Sequence, residues 1–302
     1  MLLPDEWKKM SLQTFAQTLL FGLFVGGIYG IAAMGLALVF GVMKMLNIAH
    51  GELIMLGGFV SFWAFSTLGM DPFVWLAIVI PVLFGVGLLL DRTVYRHIAR
   101  LIGEEKIKNS LLVSFGLTLV LQNLAQYLFS ADERSIQVAY AGEGLKLLGV
   151  SMPYTRLATL VIALIVALAL NYFLHHTYPG KAILATAEDY EAAELAGINI
   201  NRVYMMTFAL GASLASIAGT FVAVTYGLSP SIGIIWTLKA LIVIVLAGTG
   251  SILGAFPAGI LLGVVESLSG AFVDSTYREV IGLVIFLLVL ILRPQGLFTK
   301  NG

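Results

Sequence analysis

Residues 13–42 run without a single charged side chain. A helix needs about 17 to 25 apolar residues to cross the hydrocarbon core of a bilayer, and this stretch exceeds that. Further apolar segments follow at 53–68, 73–90, 110–129, 157–174, 203–226, 232–246, 252–267 and 279–292. The expectation is an all-α, polytopic transmembrane helical bundle with about 8–9 membrane-crossing segments, forming one transmembrane domain over 1–302. A broken or hairpin element is expected near 232–268. Gly22, Gly26, Gly27, Gly30 and Gly35 punctuate the first run, which is therefore tilted or tightly packed. Gly26 and Gly30 form a small-xxx-small pair that lets helix backbones approach closely.

Composition agrees. The chain is 59% hydrophobic and 11% charged, with mean hydropathy +0.97, and a soluble domain carries roughly twice that share of charge. Lys plus Arg equals Asp plus Glu, 17 against 17, so no basic excess points to nucleic acid. The absence of cysteine excludes disulfides and thiolate metal sites. Residues 1–10 are amphipathic and mixed in charge, and the run after them is too long for the core of a cleavable signal.

Charge sets the sidedness. The loop 91–108 carries Arg92, Arg96, His97, Arg100, Lys106 and Lys108, the strongest basic cluster in the chain, which places it in the cytoplasm. The polar connection 130–156 then forms an extracytoplasmic loop, and 179–202 returns to the cytoplasmic side. That last loop is acidic overall (Glu188, Asp189, Glu191 and Glu194 against Lys181 and Arg202), so topology rather than charge assigns its side. Segments 232–246 and 252–267 read as a hairpin around Gly248, Thr249, Gly250 and Ser251, its tip near the cytoplasmic face. Residues 270–278 form a short outer turn, and Arg293-Pro294-Gln295-Gly296 is a stop with a basic anchor. Nine segments counted back from a cytoplasmic C-terminus put the N-terminus outside. Lys8 and Lys9 argue the other way, and the side stays open.

The loop 179–202 holds the clearest soluble-type helix signal. Thr186 precedes Asp189 by three residues, close to a capping box, with the carboxylate at the positive end of the helix. Residues 187–196 are rich in Ala, Glu and Leu, strong helix formers, and Gly197 ends the run as a residue that adopts a left-handed cap. Ten residues make about 15 Å of helix, too short to cross a bilayer. It reads as a rigid peg offered to another protein.

Enzyme motifs are absent. No Gly-x-x-x-x-Gly-Lys-Ser/Thr loop, His-Glu-x-x-His or Gly-x-Ser-x-Gly occurs, and no metal or other cofactor is expected. Polar groups inside spans are costly and need a reason. Asn47, His50 and Glu52 mark a polar break. Either they satisfy one another and the freed backbone, or they line a polar pathway where irregular backbone is permitted. Gln122 and Gln126, spaced i, i+4 with Asn123 alongside, make a polar stripe suited to interhelical hydrogen bonds or to substrate. Lys239 and Glu266 stand on the two hairpin arms. Measured from Gly250 at helical rise they lie about 16 Å and about 24 Å up, which argues against a direct ion pair. Lys239 would then reach the outer interface or a water-filled cavity.

Several stretches together resemble the permease subunits of branched-chain amino-acid ABC importers, the LivH type. They are GGIYGIAAMGLALVFGVMKMLNIAHGELIMLGG at 26–58, LQN at 121–123, GKAILATAEDYEAAELAGINI at 180–200, LAGTGSILGAFPAGILLGVVESL at 246–268 and RPQGLF at 293–298. They span nearly the whole chain. Thr249 departs from the small or apolar residue common in the family. The resemblance implies a multi-pass protein of the bacterial inner membrane. It also implies a second related permease, two cytoplasmic ATPase subunits and an extracytoplasmic amino-acid-binding protein. Asp189, Glu191, Ala192, Ala193, Leu195 and Gly197 would dock on an ATPase, with Ala192, Ala193 and Leu195 carrying the contact. Asn47, His50, Glu52, Gln122, Asn123 and Lys239 are the candidates for the translocation pathway. The cargo implied is a branched-chain or related neutral amino acid; urea or another amide is the alternative, and a stand-alone secondary transporter is the rival class.

Overall fold

The computed structural model describes residues 11–99, 101–147, 149–248, 250–272 and 277–298. The expectations resting on residues 1–10, on Arg100, on Thr249 and on the middle of the outer turn, 273–276, lie outside them. Every expected apolar segment forms a helix. In order these are α1 (Leu12–Met43), α2 (His50–Leu68), α3 (Pro72–Leu90), the short turn α4 (Arg96–Ile98), α5 (Gly103–Phe129), α6 (Tyr154–His176), α7 (Tyr178–Glu188), α8 (Tyr190–Leu195), α9 (Ile200–Thr225), α10 (Ile232–Ala247), α11 (Ala255–Phe272) and α12 (Arg278–Leu292). A π-helical turn, Asp91–Tyr95, joins α3 to α4. Among the described residues seven helical stretches are long and apolar enough to cross a membrane, and α10 is a shorter apolar helix.

The over-long first run is one helix of 32 residues, about 48 Å at helical rise. Ser11 caps it by accepting from the Thr14 N–H at 3.1 Å. Lys44, in the left-handed region at φ 53°, ends it. The length exceeds a hydrocarbon core of about 30 Å, and α1 instead serves as the central post of the bundle. Its glycines decide how. Gly22, Gly26 and Gly30 lie against Gly263, Gly259 and Phe256 of the antiparallel α11, and a Cβ at Gly259 or Gly263 would meet the backbone of Gly30 or Gly26. In a membrane, where lipid tails are as apolar as the helices, such close packing is what holds helices together. A second seam runs along α9, whose small residues Gly211, Ser216 and Gly219 meet Gly35 of α1 and Gly57 and Gly58 of α2.

Hydrogen bonds fix which ends share a face. Gln17, near the start of α1, donates to the Ser151 carbonyl at 2.7 Å and accepts from the Ser151 N–H at 2.7 Å. Ser151 belongs to an antiparallel hairpin of β1 (Gly144–Leu147) and β2 (Val150–Pro153). The start of α1 therefore lies on the face of the 130–156 loop, which resolves the open side relative to that loop. Tyr140, in the same loop, donates its hydroxyl to Asp71 at the start of α3, and burial with that bond pushes the Tyr140 pKa up. On the opposite face, residues of the 91–107 stretch and of 186–204 line common hollows. The α10–α11 turn is on that face too. There the chain end folds back on it: the Leu297 and Phe298 N–H groups donate to the carbonyls of Leu246 (2.8 Å) and Ala247 (3.0 Å). The Arg-Pro-Gln-Gly stretch is thus a clasp on the hairpin tip as well as a stop.

Gly259→Leu should abolish folding, because the added side chain meets main chain that cannot move aside. Gly116→Ala, at an open helical position, should be neutral or stabilise by up to about 1 kcal/mol. Size-exclusion profiles and thermal midpoints in detergent distinguish these outcomes.

Candidate functional site: a buried break, a charged knot and a surface peg

Between α1 and α2 the chain does not turn back at the surface. The His50 Nε2–H donates to the Ala32 carbonyl at 2.9 Å. Ala32 lies 11 residues before the end of α1, about 16 Å at helical rise. Residues 44–49 therefore lead back into the bundle without helix, from left-handed Lys44 to a turn at 48–49, and six residues reach at most about 20 Å. The remainder of that crossing is made by α2, starting within the bundle rather than at its edge.

Non-helical backbone at this depth must find partners inside the protein. Hydroxyls supply them. The N–H groups of Leu46 and Ile48 donate to Ser110 Oγ (3.2 Å) and Ser114 Oγ (3.1 Å) of α5. Thr237 Oγ1 of α10 donates to the Ile48 carbonyl at 2.8 Å and accepts from the Gly51 N–H at 2.8 Å. Glycines at 35, 51 and 233 leave the room this requires; a Cβ at Gly51 would strike the Gly233 carbonyl and Thr237 Oγ1.

Asn47, His50 and Glu52 are all buried here, but they do not bond to one another. Asn47 Oδ1 accepts from the Tyr95 hydroxyl at 2.7 Å, and His50 holds α1. Glu52 lies against Gly233 of α10. Asn47 Nδ2, His50 Nδ1 and Glu52 Oε2 have no hydrogen-bond partner among the described residues. An unpartnered buried polar atom costs roughly 1–3 kcal/mol, so three of them at one break form a polar cluster with unused capacity. The chain thus satisfies the freed backbone with Ser110, Ser114 and Thr237, while Asn47, His50 and Glu52 keep donors and acceptors free. The expectation that these three satisfy one another and the freed backbone fails in that form, since the side chains on α5 and α10 are nearer to the freed main chain.

Lys239 requires a correction. It does form an ion pair with Glu266, Nζ to Oε1 at 2.6 Å, with Glu279 at 3.7 Å. Helical rise counted from Gly250 overstates the offset, because the turn between the arms is not helix. α10 ends at Ala247 and α11 begins at Ala255, so the true axial offsets are about 12 Å and about 16 Å. A lysine and a glutamate side chain bridge that difference. Tyr29 of α1 completes the knot by donating its hydroxyl to Glu266 Oε2 at 2.8 Å, with Lys239 Nζ 5.6 Å from its ring centroid. Lys239 is 11% exposed, so it is an internal tie between four helices.

The amide stripe of α5 is turned away from the bundle. Gln122 is half-buried, Asn123 and Gln126 are exposed, and Asn123 donates back to its own helix at the Leu119 carbonyl (2.7 Å). No hydrogen bond joins these amides to another helix of this chain among the described residues.

The peg is an elbow rather than one helix. α7 stops at Glu188, and Asp189, not Thr186, caps α8: Asp189 Oδ1 accepts from the Glu191 and Ala192 N–H groups, both at 3.0 Å. Thr186 instead donates to the Ala182 carbonyl at 2.8 Å, the usual internal bond of a hydroxyl in mid-helix. The expected span 187–196 shortens to the six residues of α8. Gly197, at φ 84°, ends it as expected, and the Ile198 N–H donates to the Ala193 carbonyl at 3.0 Å to lock the exit. Ala193 faces inward and is buried, Glu191 and Ala192 are exposed at the surface of the elbow, and Leu195 is 91% exposed. Tyr190 donates to Glu191 at 2.8 Å, which raises the Tyr190 pKa.

Comparison with known proteins decides what these parts belong to. Residues 18–292 match the family described as branched-chain amino acid transport system, permease component. The chain belongs to that family. Its relatives include the high-affinity branched-chain amino acid transport system permease protein LivH of Salmonella typhimurium, 32% identical over 95% of this permease and 96% of the relative. BraD of Pseudomonas aeruginosa, named in the same terms, is 33% identical over the same shares. LivH of Escherichia coli is 31% identical, again over 95% and 96%. The chain is thus a multi-pass membrane permease subunit, as the resemblance implied, and not an enzyme.

What the residues alone did not reveal in this permease is the part played by Ser110, Ser114 and Thr237. Ser110, Ser114 and Thr118 do recur at i, i+4 and i+8, a visible signal. In a membrane helix that pattern most often means bonds to the helix's own carbonyls, so the spacing gives no direction.

Thr237→Val should destabilise the permease by about 1–3 kcal/mol, since it strands the Ile48 carbonyl and the Gly51 N–H; thermal midpoints report it. Lys239→Met should cost about 3–5 kcal/mol by leaving Glu266 uncompensated. Lys239→Met with Glu266→Gln should recover most of that loss, because the amide replacing the carboxylate still accepts from Tyr29. Equal losses in the single and double variants would show the pair to be uncoupled.

Proposed function

We propose that this permease is one membrane subunit of an ATP-driven importer that moves branched-chain or related neutral amino acids across the bacterial inner membrane. A second related permease would complete the membrane part. Two ATPase subunits would bind the face carrying the 91–108 loop and the peg, and an amino-acid-binding protein would deliver cargo to the opposite face. The family and its named relatives support the cargo class. The excess of basic residues in the 91–108 loop supports the sidedness.

The observation that carries the mechanism is the peg's construction. Leu195 stands almost wholly exposed on a helix capped at one end by Asp189 and locked at the other by Gly197. An isolated apolar knob on a rigid, polar mount suits insertion into a groove of a partner. Asp189, Glu191, Ala192, Leu195 and Gly197 form the docking element in this reading, and buried Ala193 holds it to the body. Behind the peg, Asn199 caps α9 by accepting from the Arg202 N–H at 3.1 Å. α9 packs along α1, α2 and α3. A push on the peg is therefore delivered by α9 to the helices that enclose the buried break. Asn47, His50 and Glu52 would meet the cargo or water when that break opens. Gln122 and Asn123, whose amides would be costly against lipid, would face the seam with the second permease. Lys239 holds the hairpin in place while the rest moves.

Leu195→Asp should leave the stability of the isolated permease within about 0.5 kcal/mol of wild type, as for an exposed site. It should reduce copurification of the ATPase subunits and amino-acid-dependent ATP hydrolysis by at least about ten-fold, the equivalent of 1.4 kcal/mol of lost docking energy. Ala193→Pro should uncouple hydrolysis from uptake without loss of membrane insertion. Unchanged uptake into proteoliposomes by both variants would refute the lever.

A further inference from the structure

Where the π-helical turn after α3 meets the start of α9, a hollow of about 290 Å³ opens on the peg face. Three guanidiniums line it, Arg92, Arg96 and Arg202, together with Asn199, Asn201 and Asp91. All three arginines are exposed, and none has a salt bridge or side-chain hydrogen bond among the described residues. Among the described residues, three positive charges against one carboxylate leave a net charge of two within a single small concavity. Asp91 is only 5% exposed and its Oδ1 has no partner among the described residues. The hollow thus offers forked donors for an anion and, beside them, a buried acceptor waiting for a hydroxyl.

The surroundings identify the kind of molecule. Val74, Ile78, Val82 and Leu89 of α3 are exposed and fall on one stripe at helical spacing. That stripe leads along the helix to Arg92 and Arg96, on the first turns past its end. α3 has 19 residues, about 28 Å, which matches the hydrocarbon thickness, so the turn that follows it stands at headgroup level. An apolar track ending in a basic hollow at that level is complementary to an acyl chain and its phosphate. Guanidinium binds phosphate oxygens in a bidentate fork.

We propose that this hollow is a binding site for an anionic phospholipid of the peg-side leaflet, one whose headgroup carries a phosphate and a free hydroxyl. The phosphate sits among Arg92, Arg96 and Arg202, and the hydroxyl donates to Asp91 Oδ1. A bound headgroup bridges the end of α3 to the first turn of α9. Arg202 follows Gly197 by five residues, so the same lipid ties the peg's exit to the outer wall of the bundle and makes its movement sensitive to lipid composition.

The test uses the full-length chain purified in detergent with whatever subunits accompany it. It is prepared as wild type, as the triple variant Arg92→Gln, Arg96→Gln, Arg202→Gln, and with Lys at the same three positions. Thermal unfolding is followed with dioctanoyl phosphatidylglycerol, dioctanoyl phosphatidylcholine and sodium phosphate. Phosphatidylglycerol should raise the wild-type midpoint by about 3 °C or more at saturation, phosphatidylcholine by less than half as much, and phosphate not at all. The Gln variant should lose the shift, and the Lys variant should keep at least half of it. Equal shifts from both lipids would overturn the proposal in favour of unspecific lipid packing. A phosphate shift equal to that of phosphatidylglycerol would replace it with a free-anion site. An undiminished lipid shift in the Gln variant would also overturn it, the more so if ATPase copurification falls, since the hollow would then be a protein contact. Should the triple variant not fold, Arg96→Gln alone decides by mass spectrometry of copurified lipid. At least about two-fold less phosphatidylglycerol is expected from the loss of one forked contact, and unchanged content refutes the site.

Discussion

The structure depends on the need of every backbone N–H and C=O to find a partner where no water is available. Most of the chain meets it by being helical. Residues 44–49 do not, and the bundle is arranged around them: Ser110 and Ser114 on one side, Thr237 on the other, and glycines wherever the non-helical chain needs space. Remove these hydroxyls and the break would be a set of stranded carbonyls and amides deep in the protein. With them it is a place where polar side chains can sit within the bundle and still have bonding capacity to spare.

Around that break two kinds of adhesion divide the work. Glycine seams between α1 and α11, and between α9 and its neighbours, hold helices by close van der Waals contact. Such seams are stiff, because main chain meets main chain. The knot of Tyr29, Lys239, Glu266 and Glu279 acts differently: it joins four helices through charge and hydrogen bonds in one spot. A buried ion pair contributes little net stability but strongly penalises the loss of one member. It therefore fixes where the α10–α11 hairpin sits against α1 more than it strengthens the bundle. The opposite end of that hairpin is fastened by the chain's own C-terminal clasp.

The peg joins this interior to the surface. Its short helix is held at both ends by local bonds, and its continuation, α9, is the most enclosed of the membrane-length helices among the described residues. Only residues 196–199 separate the short helix from α9, and Gly197 (φ 84°) and the Asn199 cap fix the two ends of that link. The elbow at Asp189 sets the knob's direction, and the buried methyl of Ala193 sets its seating.

Much of this was legible in the residues. Apolar runs located the helices, because burial of about 17 or more consecutive apolar residues has one common solution in lipid; seven of them reach spanning length among the described residues, while α10 and α12, at 16 and 15 residues, are shorter than that. Gly26 and Gly30 announced a close helix contact, Gly197 a left-handed stop, and the Asn47–Glu52 stretch a polar interruption, each through chemistry local to the chain. What local chemistry could not supply was the partner. Thr186 and Asp189 both fit a cap, and only packing of α7 against the body, which buries Thr186, left the role to Asp189. Lys239 and Glu266 looked mismatched in height because the length of the turn between their helices is set in three dimensions. Ser110, Ser114 and Thr237 looked like ordinary helix hydroxyls until the non-helical stretch 44–49 was laid between them. By itself the sequence determined that this chain spans a membrane and where its apolar spans lie, since those follow from hydrophobic length. Only the tertiary structure decided which polar groups meet, because a hydrogen bond or ion pair between residues 27 to 237 positions apart depends on how helices cross, and no spacing along one chain encodes that.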